Sequence, residues 1–473
     1  MNYKKIHLTG IGGIAMGTLA CMLRESGYDI TGSDSGVYPP MSDILRDARI
    51  EYGPFSEDNA AAADLVIVGN AISRGNVEAE YVLNEKKPYL SMAGALHEFF
   101  LRDREVIAVC GTHGKTTTTA LLAHILTVAG LDPSCFIGGN SINLGKNYRL
   151  GKGKYFIIEG DEYDSAFFEK VPKFIFYRPS HCILTSLEFD HADIYRDLDE
   201  ISLWFKRLVN IIPSKGNIVY SSAYDTLRPV IAGSRSRCAS FGSGGSDFTW
   251  HFSGYTEQGA ALSLSSPGDG AELALESTLF GDFNYANIAG AAGMALKLGI
   301  AAEDIIEAVK TFRGVKRRQE IIYRGANLVI YEDFAHHPTA IGYMLRTLAH
   351  RHTGSKIWAI YEPRSATSRR NVFQNELPGA FEPAGAVLMK TLFNPGAIPP
   401  GERLDLDRVR ADLETRGKDA RLFGDVDAII RYVADHIDFG EENIIIIMSN
   451  GGFDGIYHEI SRVMGDLEVK SRN

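Results

Sequence analysis

Cysteine is scarce in this chain, and no two cysteines are closely spaced. The 473 residues include five, which are Cys21, Cys110, Cys135, Cys182 and Cys238. An odd, scattered set without a CxxC pair argues against a disulfide framework and against a thiolate zinc site. The cysteine usage therefore predicts a protein of a reducing cytoplasm.

Long apolar runs and a strong charge of either sign are also missing. No run approaches the roughly 20 apolar residues that span a bilayer, and glycines follow the start too soon for a signal-peptide core. Asp and Glu number 59 and Lys and Arg 49, without an extended basic block. Membrane insertion, secretion and a nucleic-acid surface are therefore disfavoured, and any bound phosphate must be held by local groups.

The length and the alternation of short apolar strands with helical patterns predict three α/β domains. At roughly 150 residues per domain, a chain of 473 residues suggests about three. Strand–helix alternation begins at Lys4, begins again with a strand from Val106 to Cys110, and resumes after Arg318. Gly- and Ser-rich text between about 234 and 281 predicts a small antiparallel insertion. We expect domains over 1–103, 104–318 and 319–473.

The first glycine-rich turn, Gly10-Ile-Gly12-Gly13-Ile-Ala15, lies between a strand and a helix predicted over 16–26. Asp34 stands at the end of the next strand. Glycines let the backbone approach a pyrophosphate, whose charge the free N–H groups of the helix N-terminus stabilise. The turn indicates a nucleotide diphosphate, with NAD and other diphosphate-linked ligands both open, and strand–helix packing alone also produces such turns.

The second glycine-rich turn, Gly111-Thr-His-Gly114-Lys115-Thr116-Thr117, precedes a helix predicted over 116–129 and ended at Gly130. It matches the end of a P-loop, although Val109 stands where the full pattern has glycine. Lys115 would neutralise the β and γ phosphates of a nucleotide, and the Thr116 hydroxyl would ligate Mg²⁺. Two such turns predict two nucleotides, or a nucleotide and a nucleotide-linked substrate, whereas a dehydrogenase needs only one.

Carboxylates gather after two further strands. They are Glu159, Asp161, Glu162 and Asp164 in one segment, and Glu188, Asp190 and Asp193, together with His191, in the next. Carboxylates at strand ends suit Mg²⁺, which prefers oxygen ligands, and His191 could complete a second metal site. Solvated acidic loops and a core histidine are the alternatives. Similarly, His336 and His337 could simply cap a helix that begins at Pro338.

The ordered set GTHGKTT, EGDEYD, FDHAD, NYAN, KRRQE and EDFAHHP, spread over nearly the whole chain, resembles the Mur ligases, ATP-dependent amide-forming enzymes of peptidoglycan assembly. The resemblance implies a Rossmann-like N-terminal domain that binds UDP-N-acetylmuramate. It also implies a P-loop ATPase-like central domain and a Rossmann-like C-terminal domain that binds a peptide. ATP and Mg²⁺ are the implied cofactors, and the bacterial cytoplasm is the implied compartment.

Within the family, the stretches EYDSAFFEK, LEFDHADIY, YEPRSAT and MSNGGFDGI resemble the branch that joins L-alanyl-γ-D-glutamyl-meso-diaminopimelate to UDP-N-acetylmuramate in peptidoglycan recycling. The alternative is the branch that adds free L-alanine in de novo synthesis, and composition does not separate the two. The implied reaction forms an acyl phosphate on the lactyl carboxylate, which the incoming amine then attacks. Outside the family, a dehydrogenase and a non-catalytic nucleotide-binding module remain alternatives.

The resemblance also implies roles for particular residues. The catalytic residues implied are Lys115, His191, Arg318 and Asp333. The ATP-binding residues implied are Gly111, Thr112, His113, Gly114, Lys115, Thr116, Thr117, Asn287, Arg318 and Asp333, with Thr116, Glu159 and His191 as metal ligands. The UDP-sugar residues implied are Gly12, Gly13, Met16 and Asp34, with Ser73 and His97 as weaker candidates.

The sequence departs from the family pattern at one motif, has an uncertain lysine near another, and contains candidate arginines for the peptide. The HN pair usual before the adenine-binding asparagine is here Phe283-Asn284, and Lys206 is near the spacing of a carbamate-bearing lysine that this branch is not generally expected to use. Because a peptide with several carboxylates needs cations, we expect Arg364, with Arg369 and Arg370, to bind the tripeptide; solvated surface arginines are the alternative.

Overall fold

The computed structural model describes residues 3–257, 259–266 and 272–471. Its strands form three larger sheets that follow one another along the chain, and a small hairpin. The described residues contain no helix that combines the length and the apolar character needed to cross a membrane. The α/β class predicted from the sequence is confirmed.

The first sheet is parallel and is flanked by helices. Its strands are β1 (Lys5–Thr9), β2 (Asp29–Ser33), β3 (Glu51–Gly53), β4 (Leu65–Val68) and β5 (Tyr89–Ser91), in the order β3-β2-β1-β4-β5. Its helices are α1 (Ile14–Glu25), α2 (Met41–Asp47), α3 (Glu57–Ala62), α4 (Val77–Asn84) and α5 (Met92–Leu96), which a π-helical turn, His97–Leu101, continues. The continuous apolar run of β4 is buried, as expected for a sheet covered on both faces.

The second sheet carries the second glycine-rich turn. Its first four strands are β6 (Glu105–Cys110), β7 (Ser134–Phe136), β8 (Tyr148–Arg149) and β9 (Tyr155–Gly160). The separate hairpin of β10 (Asp164–Ala166) and β11 (Glu169–Pro172) comes next in the chain. The remaining strands of the sheet are β12 (His181–Leu184), β13 (Asn217–Ser221), β14 (Arg237–Gly242), β15 (Phe248–Tyr255), β16 (Ala260–Ser265) and β17 (Glu272–Ser277). The sheet order is β17-β16-β15-β14-β13-β12-β6-β9-β7-β8. Its helices are α6 (Lys115–Val128), α7 (Lys173–Phe176), α8 (Leu198–Ile211), α9 (Arg228–Ile231), α10 (Asp282–Lys297) and α11 (Ala302–Thr311).

The stretch predicted as a small antiparallel insertion continues this sheet instead of standing apart from it. β14 pairs in parallel with β13, and the antiparallel pairing begins only between β15 and β16 and extends to β17. Residues 258 and 267–271 of the stretch lie outside the described residues. Buried positions alternate with half-buried ones in β16 and with exposed ones in β17, which explains why the sequence pattern indicated hairpins.

The third sheet follows residue 319. Its strands are β18 (Glu320–Arg324), β19 (Leu328–Asp333), β20 (Lys356–Tyr361), β21 (Ala386–Lys390), β22 (Asp419–Phe423) and β23 (Asn443–Met448), in the order β18-β19-β23-β20-β21-β22. Its helices are α12 (Pro338–Arg351), α13 (Leu377–Ala380), α14 (Leu406–Thr415), α15 (Val426–His436) and α16 (Ile456–Ser471). Only β18 pairs antiparallel among the described strands of this sheet.

The parallel pairing decides where the functional side chains lie. β6, β9 and β12 run in the same direction, so their carboxyl ends share one edge of the central sheet. The turn 111–114 follows β6, Glu159 stands near the end of β9, and Glu188 follows β12. Ligands of open α/β sheets bind at this edge.

Candidate active site

Gly114 shapes the turn that precedes α6. Its φ of 78° is left-handed, and a Cβ built there would lie 2.3 Å from Asn287 Oδ1. Both features require glycine. The helix itself ends as predicted, since Gly130 follows its C-cap with a φ of 72°.

Lys115 begins α6, and its ammonium lies among carboxylates. Nζ donates hydrogen bonds to the Gly111 carbonyl (2.6 Å) and to Glu162 Oε1 (3.0 Å). Burial alone would lower the pKa of Lys115, but the negative charges of Glu162, Glu159 and Asp161 raise it above its usual value. The side chain is therefore a buried, permanently charged cation in the turn.

Thr116 and Glu159 form an oxygen pair beside this cation. Thr116 Oγ1 donates to Glu159 Oε1 (3.1 Å), and the Gly138 N–H donates to Glu159 Oε2 (2.8 Å). Burial raises the pKa of Glu159, while Lys115 and Arg318 oppose that rise. A half-buried carboxylate and a hydroxyl are ligands that Mg²⁺ accepts, and the charge of the ion would stabilise the ionised form of Glu159. The donor set therefore fits a magnesium ion.

His191 contacts a different carboxylate. Its backbone has a left-handed φ of 57°, and its Nε2 lies 3.0 Å from Glu162 Oε1. Burial lowers the pKa of His191, but Glu162 and Asp190 outweigh it and raise the pKa overall. The partner of His191 is thus Glu162, which also binds Lys115, and not Glu159. Its role as ligand of a second metal stays a prediction.

Arg318 and Asp333 reach the site from the segment after the central sheet. Asp333 accepts backbone hydrogen bonds from Gln319 and Ala335, both 2.8 Å long. The Arg318 guanidinium lies 4.4 Å from the centre of the Phe334 ring. Burial raises the pKa of Asp333 and lowers that of Arg318, and the charge of each group opposes the shift of the other.

One cavity of about 210 Å³ brings most of these side chains together. The predicted residues that line it are Thr112, His113, Gly114, Lys115, Thr116, Thr117, Glu159, His191, Arg318 and Asp333. Gln319 and Phe334, from the motifs KRRQE and EDFAHHP, also line it, and the wall is completed by residues that no sequence motif had indicated, among them Tyr343, Met344 and Thr347. The last three lie on α12, whose helical pattern was visible in the sequence although its position beside the turn was not.

Asn287 lies beneath the turn and does not line the cavity. Its Oδ1 accepts a hydrogen bond from Thr118 Oγ1 (3.2 Å), and its Nδ2 donates to Asn284 Oδ1 (3.2 Å). Asn284 and Phe283 do line the cavity, and the Phe283 ring lies 5.7 Å from that of Tyr343. The adenine contact assigned to Asn287 stays a prediction.

The histidines before Pro338 contact the same region. His337 caps α12, because its side chain accepts a hydrogen bond from the Thr339 N–H (3.2 Å). This is the capping role that the sequence left open. His113, Glu188 and His337 place one ligand atom each within 4.8 Å of one another.

The predicted UDP-sugar residues lie away from this cavity. Asp34 closes the first glycine-rich turn, since it accepts hydrogen bonds from the N–H groups of Gly12 (2.9 Å) and Gly36 (3.2 Å). Gly13 is the N-cap of α1 and Met16 is buried in the first turns of that helix. Of the weaker candidates, Ser73 is exposed and His97 has a buried Nδ1 without a hydrogen-bond partner among the described residues.

A buried carboxylate beneath this turn had no signal in the sequence. Glu78 is fully buried, and its Oε2 accepts hydrogen bonds from Thr9 Oγ1 (2.7 Å) and Ser33 Oγ (2.6 Å) and lies 3.2 Å from His7 Nε2. Burial opposes ionisation of Glu78, but these donors and Asn59 lower its pKa to about 2. Glu78 is one of two glutamates in the first turn of α4, and nothing in the sequence distinguishes it from Glu80.

The predicted peptide-binding arginines differ in their contacts. Arg364 lies 4.1 Å from the Phe393 ring centre and 3.4 Å from Glu362 Oε1, and it keeps 27% of its side chain exposed. Arg369 donates to the carbonyl of Phe393, and Arg370 pairs with Glu402.

Lys206 is exposed on α8, away from the cavity lining.

Models of known protein families match almost the whole chain. Residues 5–104 match the model described as "Mur ligase family, catalytic domain", residues 109–295 the "Mur ligase middle domain", and residues 317–451 the "Mur ligase, glutamate ligase domain". Each of the three sheets falls within or largely within one of these matches.

Individual relatives cover the chain equally well. The UDP-N-acetylmuramate–L-alanyl-γ-D-glutamyl-meso-2,6-diaminoheptandioate ligase of Escherichia coli is 37% identical, over 96% of this chain and 97% of its own. A crystal structure of a murein peptide ligase from Psychrobacter arcticus is 35% identical, with a TM-score of 0.71, and the match covers 98% of this chain and 99% of that one. The UDP-N-acetylmuramate–L-alanine ligase of Clostridium kluyveri is 30% identical, over 93% and 94% of the two chains.

Proposed function

The chain belongs to the Mur ligase family, and we propose that it joins the tripeptide L-alanyl-γ-D-glutamyl-meso-diaminopimelate to UDP-N-acetylmuramate, with conversion of ATP to ADP and phosphate. The observation that carries the proposal is the shared cavity, in which Lys115 and Thr116 meet Arg318 and Asp333. The choice of acceptor is supported by 37% identity to a tripeptide ligase against 30% to an alanine ligase.

The chemistry requires an activated carboxylate, because oxide is too poor a leaving group for direct amide formation. Transfer of the γ-phosphoryl of ATP to the lactyl carboxylate turns the leaving group into phosphate. Both reactants are anionic, and the charges of Lys115 and Arg318 reduce their repulsion and stabilise the charge of the transferring group. Thr116 and Glu159 would hold Mg²⁺, which would supply further neutralisation of the phosphates.

The second step is attack by the alanyl amine, whose ammonium must first lose a proton. His191 and Asp333 are the two groups we propose as acceptors. Burial raises the pKa of Asp333, which makes its carboxylate a better base than an exposed one. We propose that Phe283 and Tyr343 flank the adenine, because both line the cavity and aromatic rings stack well on bases.

We further propose that UDP-N-acetylmuramate binds at Gly12, Gly13, Met16 and Asp34, and that the tripeptide binds at Arg364. Domain limits of 1–103, 104–318 and 319–473 are supported by the separate sheets. The cytoplasmic location stays a prediction.

The experiment that tests the function measures ADP release by the purified protein with ATP, Mg²⁺ and UDP-N-acetylmuramate. One series adds the tripeptide and a matched series adds free L-alanine. We expect ADP release that depends on the tripeptide, with the mass of the ligated product found by mass spectrometry. Dependence on L-alanine instead would select the alternative ligase, and slow ATP hydrolysis unaffected by either acceptor would select the non-catalytic module.

A further inference from the structure

Glu188 lies between the P-loop turn and the first turn of α12, and the reaction described above does not use it. Its Oε1 accepts a hydrogen bond from Thr339 Oγ1 (3.0 Å), and its Oε2 lies 2.9 Å from His113 Nε2. Glu188 is not among the residues that line the cavity. Any effect it has on the reaction must therefore pass through its neighbours.

On one side, the backbone around Glu188 is bound to the turn. The Glu188 N–H donates to Thr112 Oγ1 (2.8 Å), and that hydroxyl donates in turn to the Glu188 carbonyl (3.2 Å). The His113 N–H donates to Ser186 Oγ (2.8 Å). Because these bonds join the two segments repeatedly, Glu188 and the phosphate-binding turn form one rigid unit.

On the other side, the start of α12 is held by its capping histidine. His337 Nδ1 accepts a hydrogen bond from the Thr339 N–H, so its proton is on Nε2, which donates to the Phe189 carbonyl (3.3 Å). The His337 ring lies 4.8 Å from the His113 ring. The helix N-terminus carries a partial positive charge, which the Glu188 carboxylate complements.

A metal ion is the alternative occupant of this cluster, since His113, Glu188 and His337 have ligand atoms within 4.8 Å. However, both ring nitrogens of His337 already take part in hydrogen bonds, one as acceptor and one as donor. A metal would have to displace the N-cap or remove the Nε2 proton. The contacts therefore favour direct pairing of the side chains.

We propose that Glu188 is a positioning residue that holds the start of α12 against His113 and so keeps the cavity closed around the nucleotide. The activity measurement in its test rests on the proposed ligase function, whereas closure of the cavity can be measured without turnover. Glu188 contributes from the central sheet and Thr339 from the third, so the pair joins the two walls of the cavity.

The test compares Glu188→Ala, Glu188→Gln, Thr339→Val and the double variant Glu188→Ala/Thr339→Val. Thr339→Val removes only a hydroxyl, and Thr353→Val, at an exposed threonine, is its matched control. Because a hydrogen bond to a charged group is involved, we expect each of the Glu188→Ala and Thr339→Val changes to lower kcat/KM for ATP about tenfold. We expect the double variant to lose about the same tenfold, and Glu188→Gln, which keeps an acceptor for Thr339, to lose less.

The second readout is small-angle X-ray scattering with a saturating non-hydrolysable ATP analogue. We expect a larger radius of gyration for Glu188→Ala and Thr339→Val than for the unchanged protein, with Thr353→Val unchanged. A hundredfold loss in the double variant, equal radii for all variants, or a stoichiometric metal that Glu188→Gln releases would each overturn the proposal. If the ligase assay itself fails, the scattering comparison still decides the question of closure.

Discussion

Arg318 Nη2 lies 3.4 Å from Thr116 Oγ1, although the two residues are 202 positions apart in the chain. Thr116 stands in the first turn of α6, whereas Arg318 precedes the third sheet. This contact places a cation from the segment between the second and third sheets at the phosphate-binding turn. Since Asp333 and Tyr343, which belong to the third sheet and its helix α12, line the same cavity, neither sheet holds a complete site.

Replacement of Lys115 by alanine removes the buried cation from the turn. We expect kcat/KM to fall at least about a hundredfold, because a charge aimed at the transferring phosphoryl group is lost. Steady-state ADP release measures the effect. Lys206→Ala is the matched control, since Lys206 is exposed on α8, and its activity should stay unchanged. If Lys206→Ala were as inactive as Lys115→Ala, Lys206 would have to be considered again as a carbamate-bearing lysine.

Replacement of Tyr343 by alanine removes one aromatic wall of the cavity. Since stacking of a base on an aromatic ring contributes about 1–3 kcal/mol, we expect the KM for ATP to rise roughly tenfold. The KM for UDP-N-acetylmuramate should stay the same. Tyr343→Phe retains the ring and should behave like the unchanged protein. An ATP KM that Tyr343→Ala leaves untouched would move the adenine elsewhere.

Arg364→Ala tests the peptide site. We expect the KM for the tripeptide to rise strongly and the KM for ATP to change little, because Arg364 stands apart from the nucleotide cavity lining. Arg431→Ala, at an exposed arginine of α15, is the matched control. An unaltered tripeptide KM in the Arg364 variant would remove Arg364 from the peptide site.

Because of Glu78, we expect the unfolding free energy to depend on pH in the acid range. Its donors lower its pKa to about 2, well below the usual value of a glutamate, so its stabilisation is complete above pH 5 and is lost as the pH falls through 2. The shift corresponds to about 3 kcal/mol of unfolding free energy between these limits. Chemical denaturation at pH 5 and pH 2 should show that the unfolding free energy of Glu78→Gln changes less between the two pH values than that of the unchanged protein. Glu276→Gln, at an exposed carboxylate, is the control and should show the same change as the unchanged protein. Equal pH effects in the unchanged protein and Glu78→Gln would rule out Glu78 as the source.

The sequence was sufficient for features that depend on local pattern. The strand and glycine-rich turn before it predicted α6, the glycine at 130 predicted its end, and the motif order predicted the family. Contacts between distant segments had no such signal. Glu78 gathers donors from β1 and β2, and Tyr343 enters the cavity because α12 packs beside the turn, so neither could be inferred from spacing. The antiparallel strands were predicted as well, but their continuity with the central sheet depends on pairing, which composition does not specify.

The glycines that cap α1 and α6 differ in how much change they can accept. A methyl group at Gly114 meets Asn287 Oδ1 on a left-handed backbone, whereas one at Gly13 meets only the Gly10 carbonyl, at 3.9 Å, on an ordinary extended backbone. Evolutionary drift and protein engineering therefore have freedom at the entrance of α1 that they lack at the entrance of α6. The freedom is confined to position 13, because Gly10 has a left-handed φ of 87° and a Cβ at Gly12 would lie 2.9 Å from Asp34 Oδ2.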